Sequence, residues 1–283
     1  MGAASGWAGA GWGTVLPVQI SLNHILGKAH HVLKAVVFDM DETLLDINLN
    51  AFIAIYFKDM TKILADIGRR PTLNTAAGLG SILVDLNANR RRGTDNRTNR
   101  EFFDTAMEER CGVRTADPVV RDAIDFYEHE ILPGKNNGLV CAKPMEGAHE
   151  ALEMLQARGL RIALLTNPSF SEGVIRCRMG WGGLDQVPFE LVTHMDNSTR
   201  CKPDPTYYLE QLEVLGLEPH EVLMVGNDPR RDFPTPSCGI QTAYVGQGKP
   251  GRAAWCGRMA DFAPNFDAIE EAFLRRQVAD ALS

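Results

Sequence analysis

The chain has 283 residues, 45% of them apolar, and carries a formal charge of −7 with a pI near 5.5. That is enough for one large domain, or one domain with an insertion, built on a proper core. The acidic balance gives no reason to expect nucleic acid or an anionic membrane as partner.

Residues 1–33 read as a poorly structured Gly/Ala/Trp-rich arm with neither a helical nor a strand period. No methionine lies between Met1 and Met40, so one expectation is translation from a non-AUG codon near Val32, checked by intact mass. The arm lacks the basic start and apolar block of a secretory signal, and no run reaches the length of a membrane span. The expected location is therefore the cytoplasm. Six cysteines, Cys111, Cys141, Cys177, Cys201, Cys238 and Cys256, form no C-x-x-C pair, which argues against a zinc site and a disulfide framework.

Beyond the arm, short Val/Ile/Leu-rich runs alternate with helical patterns, the signature of an α/β fold with a parallel sheet core flanked by helices. Strands are expected at 34–38, 160–165, 189–193, 221–225 and 240–245. Their apolar continuity fits a sheet covered on both faces. Helices are expected at 146–158, 171–179, 204–216, 230–238 and 266–281, with Gly159 and Gly216 where helices should stop. The stretch 47–143 departs from this alternation and reads as successive helices at 48–67, 72–89, 99–110 and 117–131. The expected organisation is a core of 34–46 and 144–283, with 47–143 an all-helical cap inserted after the first strand.

In an open parallel sheet, ligands gather beyond the carboxyl ends of the strands, so the residues that follow each apolar run carry the information. The first run delivers Asp39, Asp41 and Thr43, and the second Thr166 and Asn167. Lys202 follows in RCKPDP, and the run EVLMV delivers Gly226-Asn227-Asp228-Pro229-Arg230-Arg231-Asp232. Carboxylates, a hydroxyl, an amide and a lysine aimed at one crevice match a magnesium ion and a phosphoryl group. Magnesium takes oxygen ligands and few carboxylates, a lysine balances phosphate charge, and a carboxylate nucleophile can form an aspartyl-phosphate.

With these four stations in order over residues 34–245, the chain resembles the haloacid dehalogenase superfamily, in particular its magnesium-dependent phosphatases with a helical cap and a Rossmann-like core. The resemblance implies that Asp39 is nucleophile and metal ligand, and that Asp41 is general acid/base and lends its backbone carbonyl to the metal. It also implies that Thr166 binds phosphate, that Lys202 neutralises nucleophile and phosphate, and that Met40, Thr43 and Asn167 complete the phosphate-binding loops. The fourth station departs from the family pattern, because Asn227 stands where an aspartate usually follows the glycine. The reading favours Asp228 as metal ligand with Asp232 behind it, and leaves a swap or an Asn227 ligand open. In the basic segment 90–100, a solvated loop is the plain reading, and Arg97 or Asn99 reaching over the crevice to read the leaving group is the sharper one.

The function expected is hydrolysis of a small phosphorylated metabolite by a monomer or homodimer. A phosphomutase of the same superfamily and an inactive binding protein are the alternatives.

Overall fold

The computed structural model describes residues 32–90, 95–234 and 236–281. The arm, bar its last two residues, and part of the basic segment 90–100 lie outside the described residues. Residues Val32–Ser283 form one compact unit.

Its centre is an all-parallel sheet. β1 (Ala35–Phe38) lies between β4 (Arg161–Leu164) and β5 (Val222–Gly226), and β6 (Gln241–Val245) and β7 (Trp255–Gly257) continue beyond β5. Every residue of β1 and β5 is buried. Alternation along β1 splits the core into two layers. Val36 and Phe38 pack with Phe262, Phe266 and Phe273 on one face, while Ala35 and Val37 pack with Tyr207, Tyr208 and Leu212 on the other. Burial on both faces is why these strands read as unbroken apolar runs.

The expected strand at 189–193 is reduced to a single bridge between Val192 and Leu164, with backbone bonds from Glu190 and Thr193 running alongside β4. Pro188 lacks the N–H that would extend this pairing. β7 was not expected; three half-buried residues at a sheet edge have too little apolar pattern to announce themselves.

The helices α5 (Ala148–Ala157), α6 (Glu172–Trp181), α7 (Pro205–Leu215), α8 (Met259–Phe262) and α9 (Phe266–Ala281) join and flank the strands. Gly216 ends α7 in the left-handed conformation, at φ 62°, which glycine adopts without steric cost. The helix expected at 230–238 does not form. Arg231 and Asp232 both donate to the Asp228 carbonyl, making one turn, and only Pro236–Cys238 coils again, as a 3₁₀ turn. Pro234 and Pro236 supply no N–H and break the ladder.

Between β1 and β4 the chain makes α1 (Leu49–Gly68), α2 (Thr72–Asn87), α3 (Asn99–Cys111) and α4 (Pro118–Phe126), followed by a π-helical turn at Tyr127–Ile131. Capping places three of the four starts: the Asn48 and Asp117 side chains accept from the first turns of α1 and α4, and Thr98 with Glu101 forms a capping box on α3. This helical insert is flanked by a two-stranded antiparallel pair, β2 (Leu45–Asp46) and β3 (Lys143–Pro144), so the chain leaves and re-enters the sheet region at one place.

Candidate active site

The four stations meet in a cavity of about 430 Å³ at the carboxyl ends of the strands. Asp39 continues β1 by one bond, its N–H donating to the Val225 carbonyl at 2.9 Å. The chain then folds back sharply, since the Met40 carbonyl accepts from the N–H groups of Thr43, Leu44 and Leu45, and Glu42 takes a positive φ of 58°. Asp39 and Asp41 therefore share the cavity across a tight turn, with Thr166 and Asn167 arriving from the end of β4 and Lys202 from the loop before α7.

Lys202 is 1% exposed and forms the floor. Its Nζ donates to Asp39 Oδ1 and to Asp232 Oδ1, each at 2.7 Å. The other oxygen of Asp232 accepts from the Asp228 N–H at 2.9 Å, so Asp232 ties the lysine to the fourth loop. Burial pushes the Asp39 carboxyl up, against the pull of Lys202 and with the help of Asp41. Burial likewise pushes Asp232 up to about 6, again opposed by Lys202. For the lysine, burial works against the charge, and Asp232 and Asp39 overcome it, holding its pKa well above the ordinary value.

Asn227 has a structural explanation in this chain. Its Oδ1 accepts from the Thr43 hydroxyl at 3.3 Å, and its Nδ2 donates to Glu42 Oε2 at 3.0 Å. An aspartate there could not donate to Glu42 and would face it with like charge. Asp228 stands at the rim, with Oδ1 accepting from the Arg230 N–H and Oδ2 3.8 Å from Arg231 Nε. Asn167 braces the lysine loop: its Oδ1 accepts from the Lys202 N–H and its Nδ2 donates to Asn87 on α2.

Two residues expected over the crevice are not among those lining it. Arg97 is turned to the Asp95 carboxylate, at 3.0 and 2.9 Å, and to the Thr105 hydroxyl. Asn99 is fully buried, and its Nδ2 donates to the carbonyls of Pro168 and Arg200, pinning the start of α3 to the loops after β4 and before α7. Met40 is buried in the turn, and its backbone rather than its side chain shapes the loop. Trp181 stands edge-on to Phe52 with its Nε1 donating to the Pro133 carbonyl.

Sequence reasoning missed Arg178. It lines the cavity from α6, is 1% exposed, and its Nη1 reaches both oxygens of Asp41 at 2.9 and 2.6 Å. A signal existed: Arg178 falls at helical spacing with Val174, Ile175 and Met179, all buried, so a charge sits on the apolar face of α6.

The donor set accommodates a magnesium ion. Among the described residues no three His, Cys, Asp or Glu side chains form a preassembled metal cage, but magnesium binds through one or two carboxylates and fills its shell with water and phosphate oxygens. The lining carries five carboxylates, Asp39, Asp41, Glu42, Asp228 and Asp232, against three cations, Arg178, Lys202 and Arg231. The two negative charges left over equal what one divalent cation would balance.

The comparisons agree with this architecture. A family model for haloacid dehalogenase-like hydrolases matches residues 33–236, and the chain belongs to that family. It is 27% identical over 220 residues to the N-acetylmuramic acid 6-phosphate phosphatase of Pseudomonas aeruginosa, covering 75% of this chain and 84% of that one. It is also 34% identical over 86 residues to a phosphoglycolate phosphatase of Thiobacillus denitrificans, spanning 30% of this chain and 37% of that relative. The crystal structure of a HAD phosphatase from Thermococcus onnurineus superposes with a TM-score of 0.50 at 20% identity, over 83% of this chain and 97% of that one, a likeness of fold. Among the described residues no helix is long and apolar enough to cross a membrane.

Proposed function

We propose that this hydrolase is a magnesium-dependent phosphatase acting on a small phosphorylated metabolite through a phosphorylated Asp39. The observation that carries the reading is the buried Lys202 ammonium shared between Asp39 and Asp232, which keeps one Asp39 oxygen on a fixed cation at the cavity floor.

An Asp39 oxygen attacks phosphorus, the bond to the leaving oxygen breaks, and that oxygen takes a proton from Asp41. Water then attacks the same phosphorus and gives its proton to Asp41. The Asp39–phosphorus bond breaks, releasing inorganic phosphate and restoring the carboxylate. Thr166 donates to a phosphoryl oxygen, and Lys202 offsets the charge of nucleophile and phosphate. Asp39, the Asp41 carbonyl and Asp228 would hold the magnesium ion, with Asp232 bracing Lys202 and the Asp228 loop. Bound there, the ion would supply neutralising charge to the phosphoryl oxygens. The insert 47–143 serves as a cap, hinged at the β2–β3 pair, that admits substrate and excludes water. The expected setting is the cytoplasm, as a monomer or homodimer.

The purified protein is expected to hydrolyse 4-nitrophenyl phosphate with magnesium and to stop in chelator. Asp39→Asn is expected to be inactive with an unchanged thermal melt; ordinary turnover by that variant would overturn the reading.

A further inference from the structure

The reaction scheme above leaves Arg178 without a task. Placing a guanidinium in a protein interior is costly unless its N–H groups are matched. Nη1 is matched by Asp41, yet Nε and Nη2 have no acceptor among the described residues. A charge kept for stability would have its remaining donors satisfied. Arg178 is instead enclosed by two aromatic rings, its guanidinium carbon 5.0 Å from the Phe52 centroid and 4.9 Å from that of Phe170. Such rings attract a desolvated cation and keep water from it. Asp41 in turn has a 15% exposed side chain, and Arg178 is the donor to its carboxylate among the described residues.

The two rings come from different parts of the chain. Phe170 follows the Thr166–Asn167 station, whereas Phe52 lies in the first turn of α1, just after β2 leads into the insert. The insert therefore touches the candidate acid/base group through one guanidinium.

We propose that Arg178 is a positioning residue that fixes the direction in which the Asp41 carboxylate faces the cavity, and that Phe52 holds Arg178 to that duty, so that the placement of the helical insert is felt at Asp41. The inference rests on the reading of Asp41 as the group that protonates the leaving oxygen. A misdirected Asp41 hurts most when the leaving oxygen needs a proton, and least when the leaving group departs readily as an anion.

The test uses phenyl phosphate, a poor leaving group, beside 4-nitrophenyl phosphate, a good one of nearly the same shape. In Arg178→Met an apolar chain of similar length fills the space between the rings, and Asp41 remains at the cavity where water can reach it. Thermal stability is expected to fall, because Asp41 loses its charged partner, but by less than on loss of Lys202, which would strand two carboxylates. The kcat/KM for phenyl phosphate is expected to fall by about thirtyfold, and that for 4-nitrophenyl phosphate by less than about threefold. Phe52→Leu is expected to show the same preference, more weakly, and decides the matter if Arg178→Met does not fold. Parallel losses on the two esters, or none, would overturn the proposal while leaving the phosphatase reading standing. A wild-type protein that hydrolyses neither ester would overturn both.

Discussion

The floor and the wall of the cavity each hold one buried cation, and the two are treated differently. On the floor, Lys202 meets two carboxylates at 2.7 Å, and one of those is itself tied to the Asp228 N–H. On the wall, Arg178 meets one carboxylate and otherwise aromatic rings, with two nitrogens unmatched. One floor partner, Asp39, directly follows β1, and the other, Asp232, sits on the loop after β5, two strands paired in one sheet. The wall draws on the insert as well. The floor is thus built to stay as it is, while the wall is built from contacts that movement of a helix can loosen.

Removing the floor cation should have the largest effect. Lys202→Met leaves Asp39 and Asp232 facing each other in a buried site, and breaking a buried pair in this way costs about 3–5 kcal/mol. Chemical denaturation should show that loss, and a smaller one for Arg178→Met, which strands one carboxylate rather than two; equal losses from the two would erase the distinction between floor and wall.

A smaller effect is expected at the rim. Asn227→Asp removes the donor to Glu42 and adds like charge, which should cost about 1–3 kcal/mol without magnesium. Added magnesium should restore more melting temperature to this variant than to the wild type. An equal response would mean that the position lies outside the reach of the metal.

The smallest effect concerns the insert's own buried carboxylate. Glu128 sits in the π-helical turn, accepts from the Tyr56 hydroxyl at 3.2 Å, and has its pKa raised above 4.5, by burial before any other cause. A raised carboxyl pKa means the folded state keeps a proton that the unfolded state gives up. Its contribution is therefore intact below about 4.5 and is lost as pH climbs through the folded value. Glu128→Gln removes that loss. It should gain about 1 kcal/mol over the wild type at pH 7 and little at pH 4, measured by thermal melts; a pH-independent difference would mean that Glu128 stays charged in the fold.

Much of the site was legible because its parts lie where a local pattern ends. Asp39, Thr166 and Lys202 follow apolar runs or start a proline-led helix, and a parallel sheet carries such ends to one edge whatever the rest of the chain does. The four helices of the insert were also legible, to within a few residues, from apolar residues at helical spacing. The helix expected at 230–238 failed because its apolar and charged residues fit a helical period while Pro234 and Pro236 deny it hydrogen bonds. Arg97 and Asn99 illustrate a different limit. One polar residue two places from another became a surface ion pair and the other a buried staple, and no local rule separates them.

By itself the sequence determined the parallel sheet, the helical insertion and the set of oxygen-bearing residues at the strand ends, because these follow from hydrophobic period and from turn chemistry within short windows. Tertiary structure alone decided that Asn227 would bridge Thr43 and Glu42, that Asp232 would brace Lys202, and that Arg178 would turn inward to Asp41 between Phe52 and Phe170. Each of those contacts joins residues far apart in the chain, and its strength depends on burial and direction, which exist only once the layers have packed.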